Sequence, residues 1–491
     1  MSTFYVQNFG CRATQADGAA IERQFEEQGL ERAATISGAG VVVVNTCTVT
    51  ASADQDARAA IRRVHRQNPS AQIVVTGCYA QRAPDELAAL PGVTQVIGNS
   101  HKHQLAAIAV RSACSPSAPA ASDSPAFVPL GTLTAPRESS PRPTTNDRRP
   151  VFVSDIFAHT ELLAAPVFDA PNERTRPNLK VQDGCDNRCS FCVIPYVRGQ
   201  SRSLKLDQIL REVNALVAAG YRELVISGIN LGRWGRDLKS VQSPTTDDRH
   251  LQPRHWTLTS LIRAILDSTT LEKLRISSVE PMDWTDELIQ LVAASPRIAK
   301  HAHVPMQSGS DAVLRRMHRK YRPWHYREKI LKIRQAMPAA AIGADVMVGF
   351  PGETDSEFDQ TRRMIEDLPF TYLHVFTYSP RPGTPAAAMP RQVPLPVARE
   401  RNRILRELGE RKKLAFLRSF RGKCVEAITL AGHSEAPGAG VSLPQRLEET
   451  FTEALTDNYL KVRLPGYYPP NRWLNARVDR VTDGVLIARE Q

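Results

Sequence analysis

Three cysteines in one short stretch, Cys185, Cys189 and Cys192, stand in Cys-x3-Cys-x2-Cys spacing. A loop of this length can bring three thiolates to one face of an iron–sulfur cubane and leave the fourth iron without a protein ligand. An open iron can chelate the amino and carboxylate groups of S-adenosylmethionine (SAM), and a low-potential cluster can deliver the electron that splits a carbon–sulfur bond of the sulfonium. A structural zinc site takes four Cys or His ligands, usually as paired knuckles, and no fourth Cys stands near this triplet.

A second trio, Cys11, Cys47 and Cys78, is dispersed, yet each falls within three residues after a short apolar run: Phe4 to Asn8, Val41 to Asn45 and Gln72 to Thr76. If those runs are parallel strands, their carboxyl ends share one edge and the thiols can meet there. Three ligands would again leave one iron open. The plain alternative is burial of Cys as a small hydrophobe. Cys114 and Cys424 match neither trio and read as bystanders.

The elements that must position these residues follow from periodicity. Helical segments separate the N-terminal runs, one with Ile21 and Phe25 on a face and Gly29 as its stop, the next opening on Ser52 and Gln55 as a capping box with Ile61 and Val64 inward. This βαβ order implies a mainly parallel sheet. Residues from Arg111 to about Pro150 turn to Ser, Pro, Ala and Thr without period, the mark of a flexible linker. Six further strands are expected at Leu179 to Gln182, Glu223 to Ser227, Lys273 to Ser277, His301 to Met306, Ile342 to Val348 and Tyr372 to Tyr378. Alternating with helices, they form a partial (βα)6 barrel with its chemistry at the strands' carboxyl ends. Cys424 to Leu430, Tyr459 to Leu464 and Leu474 to Val481 read as strands of a small terminal β-barrel. The fold class is therefore α/β throughout the first two units. The expected divisions are 1–110, a largely flexible linker at 111–170, the barrel at 171–415 and the last unit at 416–491.

The chain has 491 residues and a formal charge of +12, which suits a polyanionic partner. No apolar run reaches the roughly 18 residues of a membrane span, and the N-terminus lacks the regions of a signal peptide. A cytoplasmic location without membrane contact is expected, where disulfides are improbable and eight cysteines ask for metal or redox work.

In this order, Asn45-Thr46-Cys47-Thr48-Val49-Thr50, Thr76-Gly77-Cys78-Tyr79-Ala80-Gln81, the triplet with Ile194-Pro195-Tyr196-Val197-Arg198-Gly199, Pro305-Met306-Gln307-Ser308-Gly309-Ser310 and Gly349-Phe350-Pro351-Gly352-Glu353-Thr354 resemble the methylthiotransferases among the radical SAM enzymes. The likeness covers nearly the whole chain except the linker. Gln200-Ser201-Arg202-Ser203 looks most like members acting on N6-threonylcarbamoyladenosine beside the tRNA anticodon. The resemblance implies two 4Fe-4S clusters, one on each trio, and SAM. The triplet's cluster cleaves SAM to a 5′-deoxyadenosyl radical that takes hydrogen from carbon 2 of the adenine. Sulfur from the N-terminal cluster and a methyl group from a second SAM follow. The terminal barrel resembles the family's RNA-binding TRAM domain, with an OB-like outline. The family usually carries Asn three residues after the first Cys and Glu six after, where this chain has Thr14 and Asp17.

SAM contacts are expected from Gly228, Glu280, Asp345, Gly349 and Gly352, since glycines admit a ligand to the backbone and carboxylates accept ribose hydroxyls. His301 and His303 share a strand face and read as packed polar residues near the pocket. From Arg399 to Lys423 basic residues outnumber acids ten to three, and Arg315 to Arg322 is a second basic segment. Arg198, Arg202, Arg411, Lys412 and Lys413 are the expected RNA contacts. Tyr459, Tyr467 and Tyr468 could stack on exposed bases or fill the barrel core. The expected partners are the tRNA anticodon loop and an electron donor such as a flavodoxin or ferredoxin, with no DNA. The competing readings are the same chemistry on isopentenyladenosine or on a ribosomal protein aspartate, and a non-catalytic zinc-stabilised RNA-binding protein.

Overall fold

The structure, a computed structural model, describes residues 3–114, 149–159, 162, 176–238, 256–431 and 451–491. The first unit runs β1 (Thr3–Asn8), α1 (Arg12–Glu27), β2 (Glu31–Arg32), β3 (Val41–Thr46), α2 (Ala51–Gln67), β4 (Gln72–Gly77), α3 (Cys78–Arg82), α4 (Pro84–Ala88), β5 (Val93–Gly98), α5 (Leu105–Cys114) and β6 (Val151–Phe152). Its sheet has the order β2-β1-β3-β4-β5-β6 with every pairing parallel. The run Val41 to Val44 is wholly apolar because helices cover both faces. Val41 and Val43 pack with Phe25 and Leu105 on one side, and Val42 and Val44 with Ile61 and Val64 on the other.

Two expectations give way here. The α2 cap is Thr50, whose hydroxyl accepts from the Ala53 N–H at 3.2 Å, and Ser52 lies inside the helix, so the expected Ser52–Gln55 box does not form. The segment read as linker also gives β6 to the sheet edge, and α5 reaches Cys114. The rest of that segment, apart from Arg149 to His159 and Leu162, lies outside the described residues, as does the Pro- and Gly-rich stretch Glu435 to Pro444.

The second unit runs β7 (Asn178–Asp183), α6 (Ile194–Arg198), β8 (Arg202–Ser203), α7 (Leu206–Ala218), β9 (Glu223–Gly228), α8 (Leu258–Ser268), β10 (Lys273–Ile276), α9 (Asp286–Ala294), β11 (His301–His303), α10 (Asp311–Arg316), α11 (Pro323–Ala336), β12 (Ala341–Val348), α12 (Asp355–Asp367), β13 (Tyr372–Thr377) and α13 (Leu395–Arg418). Two sheets, β10-β9-β7-β8 and β11-β12-β13, are joined at Leu274, which donates to Arg297 and accepts from Ala299. All six expected strands are present in parallel array as a partial barrel around Val181, Ile226, Leu274, Ala302 and Ala344. The antiparallel β8 flanks β7.

The last unit is a closed barrel, β14 (Cys424–Thr429), β15 (Phe451–Thr456), β16 (Lys461–Pro465), β17 (Trp473–Thr482) and β18 (Val485–Glu490), in the order β14-β15-β16-β18-β17. Strands β15 and β18 complete it beyond the three that the sequence marks. It docks on the second unit through Arg275, which donates to the Thr456 and Asp457 carbonyls, and through Asn458, which donates to Ala339 O at 2.9 Å.

Candidate active site

The ends of β1, β3 and β4, adjacent strands, carry Cys11, Cys47 and Cys78. Gly77 makes the last of these turns possible. At φ +99° a Cβ there would lie 2.3 Å from Thr46 O, so only glycine lets the chain swing Cys78 onto the edge. Burial first, then the Cys78 thiol, pushes the Cys47 thiol up to about 12, with Cys11 adding to it. Thr14, at the position where the family has Asn, lies with its hydroxyl 3.6 Å from Cys11 Sγ, and Asn99 Nδ2 stands 3.7 Å from Cys78 Sγ.

The loop after β7 holds the second trio by its backbone. Cys185 N–H donates to Gly199 O, Cys192 N–H to Cys189 O, and the Ser190 hydroxyl to Arg316 O. Donors point at each sulfur: Asn187 N–H and Asn230 Nδ2 at Cys185, Arg319 Nη1 at Cys189, 3.3 Å away, and Ile194 N–H at Cys192. Burial, then the Cys189 thiol, raises Cys192 to about 12, and burial raises Cys185. A cationic group among them would favour the thiolate form of the raised Cys47, Cys185 and Cys192. All six cysteines are free of disulfides, and among the described residues no three His, Cys, Asp or Glu stand close enough to enclose a single ion.

A cavity of about 540 Å³ opens between the trios, lined by Cys11, Cys185, Cys189 and Cys192. Gly228, Glu280 and Asp345 also line it. A Cβ on Gly228 would meet the Gln182 side chain at 2.8 Å, so only glycine fits this strand end. Glu280 is ion-paired with Arg319, and Asp345 lies 3.3 Å from His303 Nε2. Gly349 and Gly352 are a correction: neither lines the cavity. Gly349 N–H donates to Glu353 Oε2 and its α-carbon faces Ala398, while Gly352 sits beside Arg316, so this turn secures α13.

The far wall is aromatic. His301 Nε2 lies 2.7 Å from the Tyr372 hydroxyl, and the His301 ring stacks on both Tyr372 and Tyr459. His303 and His374 continue the surface. Burial, then Arg275, drives the His301 pKa well below its usual value, so the ring is neutral. Tyr459 comes from the terminal barrel at φ +69° and lies under the Arg275 guanidinium at 5.2 Å. Tyr467 is exposed, and Tyr468 packs on the barrel core.

The expected RNA contacts divide. Arg198 is only 2% exposed and cannot touch RNA. Its guanidinium bonds both Asp183 oxygens at 3.0 Å and Asp17 Oδ2 at 2.9 Å. Lys102 and Lys180 complete this buried group by bonding Asp17. Burial alone would raise the Asp17 pKa, but Lys102, Lys180 and Arg198 outweigh it and hold the carboxyl below the usual range. Arg202 is half-buried, donating to His159 O, and Lys412 donates to Glu366 O and Leu368 O at the end of α12. Arg315, Arg316, Arg319 and Arg322 each pair with an acid of the chain. Arg411 is exposed, and Lys413 lines a second cavity of about 640 Å³. That groove is lined by Arg176, Arg406, Lys413 and Lys461 against one acid, Glu410, and it shares Tyr372, His374 and Tyr459 with the first. Arg406 belongs to the basic stretch flagged in the sequence, whereas Arg12, Arg176 and Lys461 were not singled out, since each stands in a different segment without a motif.

Comparisons place these features among known proteins. Residues 3–98 match the model of "Uncharacterized protein family UPF0004", and residues 179–365 that of the radical SAM superfamily. The chain is 35% identical to the threonylcarbamoyladenosine tRNA methylthiotransferase MtaB of Bacillus subtilis over 95% of this chain and 91% of that protein. It is 33% identical to the protein of the same name in Aquifex aeolicus, over 94% and 96%. A tRNA-2-methylthio-N(6)-dimethylallyladenosine synthase of Thermobifida fusca is 32% identical over 88% and 78%. Among solved structures, the radical SAM methyltransferase TsrM of Kitasatospora setae superposes with a TM-score of 0.51 at 16% identity, over 79% of this chain and 74% of that one, a likeness of fold.

Proposed function

Because the chain belongs to the threonylcarbamoyladenosine tRNA methylthiotransferase family of radical SAM enzymes, we propose that Cys11, Cys47 and Cys78 hold one 4Fe-4S cluster and Cys185, Cys189 and Cys192 the other. The protein is an enzyme that converts N6-threonylcarbamoyladenosine in tRNA to its 2-methylthio derivative, with two clusters and SAM as cofactors. The observation that carries the residue assignment is that Cys11 of the first trio and all of the second line one cavity. When bound, these groups supply the reductive cleavage, hydrogen abstraction and sulfur transfer.

The chain's own residues bind, orient and exclude water. Asn230 and Arg319 donate toward the sulfurs of Cys185 and Cys189, which offsets thiolate charge. Gly228, Glu280 and Asp345 form the SAM side. The neutral wall of His301, Tyr372 and Tyr459 gives a base a stacking surface without adding charge. The basic groove of Arg406, Lys413 and Lys461 receives the phosphates of the anticodon stem-loop. The base must be turned out of its loop to enter. No helix among the described residues is long and apolar enough to cross a membrane. The reaction belongs in the cytoplasm, with a low-potential donor such as a flavodoxin or ferredoxin. The working divisions are 1–110, with β6 attached, 171–415 and 416–491.

Nucleoside profiling tests the whole reading. tRNA from a strain lacking this gene should lose 2-methylthio-N6-threonylcarbamoyladenosine, regain it with the wild-type gene and stay without it for Cys47→Ala or Cys192→Ala. Anaerobically reconstituted protein should carry about eight irons per chain, and about four in either variant. Retention of the methylthio nucleoside in the deletion strain, or loss of an isopentenyl derivative in its place, overturns the substrate assignment.

A further inference from the structure

The substrate assigned above, on which this inference rests, has an arm that ends in a carboxylate, whereas an isopentenyl arm carries no charge. The cavity beside Cys11 has two cationic side chains on its wall, Arg12 and Arg319. Arg319 is committed to Glu280, to Cys189 Sγ and to the face of Tyr321. Arg12 is not. Its Nη2 donates to the Tyr459 hydroxyl at 3.3 Å, and no carboxylate among the described residues forms an ion pair with it. The cavity's two acids are taken, Glu280 by Arg319 and Asp345 by His303.

The setting sharpens that vacancy of charge. Arg12, Arg176 and Arg275 surround Tyr459; Glu223 pairs with Arg275 at 2.7 Å and with Arg176 at 3.7 Å, and no ion pair among the described residues reaches Arg12. The backbone of Arg12 is pinned as well, its carbonyl accepting from Asn178 Nδ2 at 3.2 Å. A guanidinium held by its backbone and by a tyrosine hydroxyl, lining the cavity with no carboxylate of its own among the described residues, suits a carboxylate that arrives with the substrate.

We propose that Arg12 selects the carboxylate-bearing nucleoside, receiving the threonyl carboxylate as the modified base enters beside Cys11. The same residue works against an uncharged arm, because closing the cavity over it strips water from a guanidinium that gains no partner. Specificity thus rests on one side chain of the first unit, set by Tyr459 of the last.

Two anticodon stem-loop RNAs test this, one with N6-threonylcarbamoyladenosine and one with its threonyl carboxylate converted to the primary amide, which changes the charge and little else. Affinity, KM and kcat are measured with the cluster-loaded wild type, Arg12→Gln and Arg12→Lys, with iron content read alongside. The wild type should prefer the acid to the amide by about tenfold to a hundredfold, expressed in binding and KM. Arg12→Gln should bind the two RNAs alike, and Arg12→Lys should recover part of the preference. A wild type indifferent to the amide, or an Arg12→Gln protein that keeps the preference, overturns the proposal even if the acid RNA is methylthiolated normally. The wild-type ratio needs no variant, so it decides the matter even where Arg12→Gln loses iron. A wild type that modifies neither RNA overturns the substrate assignment instead.

Discussion

Replacing Asp17 by Asn should destabilise the junction between the first two units severely. Asp17 and Asp183 are the two acids in a buried group with three cations, Lys102, Lys180 and Arg198. Asp17 is 1% exposed and bonds all three. Asparagine keeps the shape but turns an N–H₂ toward a cation, and Lys102 loses its carboxylate while Lys180 and Arg198 keep Asp183. Breaking a buried pair by removing one partner costs about 3–5 kcal/mol, which corresponds to a fall on the order of 10 °C in the first thermal transition. Thermal unfolding by circular dichroism under anaerobic conditions measures it, with Asp207→Asn, an exposed pair with Arg211, as the variant that should leave the transition in place. Adding Lys102→Met to Asp17→Asn should recover part of the loss, because the uncompensated charge is gone. The folded carboxyl lies below its unfolded value near 3.9. Its contribution is therefore complete above about pH 4 and is lost as pH falls through the folded value, so the two proteins should converge in acid. An Asp17→Asn protein within about 1 kcal/mol of wild type at pH 7, or a double variant with the two losses simply added, refutes the account.

Two further outcomes follow from the site. Arg406→Ala and Lys461→Ala in the basic groove should weaken tRNA binding and each lower the slope of log affinity against log salt by about 0.7–0.9; a normal slope in both would remove the groove from the RNA interface. The raised thiols of Cys47 and Cys192 must lose their protons when iron binds, so cluster assembly should release protons and proceed faster at pH 8.5 than at pH 7. A reconstitution rate that does not change over that range would mean that the trios are not held as thiols.

The elements with the most burial were the most legible. Val41 to Val44 announces a strand covered on both faces, and Leu224 to Ile226 in β9 carries a similar run, whereas β11 is only His301 to His303 and β13 is half-exposed. Strands β2 and β6 are two residues each and have no period to read, while β5 mixes Thr94 and Gln95 into its apolar positions. The α2 cap was misplaced by two residues because Ser52 and Thr50 both offer a hydroxyl, and only the geometry shows that Thr50 reaches Ala53. Charge misled most. Arg198 and Lys412 were read as phosphate contacts, Lys412 from its basic stretch, yet one is locked between Asp17 and Asp183 and the other closes the end of α12. Of the cations that do face open space, Arg406 stands in the flagged basic stretch, while Arg12 and Lys461 lie far from it in the chain and join its path only after folding.

The buried charges and the open ones answer one problem. Chemistry on a tRNA base needs Cys11 and the second trio to face each other across a fixed gap, although they belong to separate units. The Asp17 group sets that gap from behind: α1 begins directly after Cys11 and carries Asp17, while Asp183 and Arg198 bracket the loop of the second trio, whose turn at Gly184 approaches Gln200 O so closely that no Cβ would fit. Any slackening of Asp17 therefore moves Cys11 relative to Cys185. Tyr459 closes the same gap from the front through Arg12. On the proposed reading the terminal barrel does more than present a surface to RNA, since Tyr459 of its turn completes the wall of the cavity.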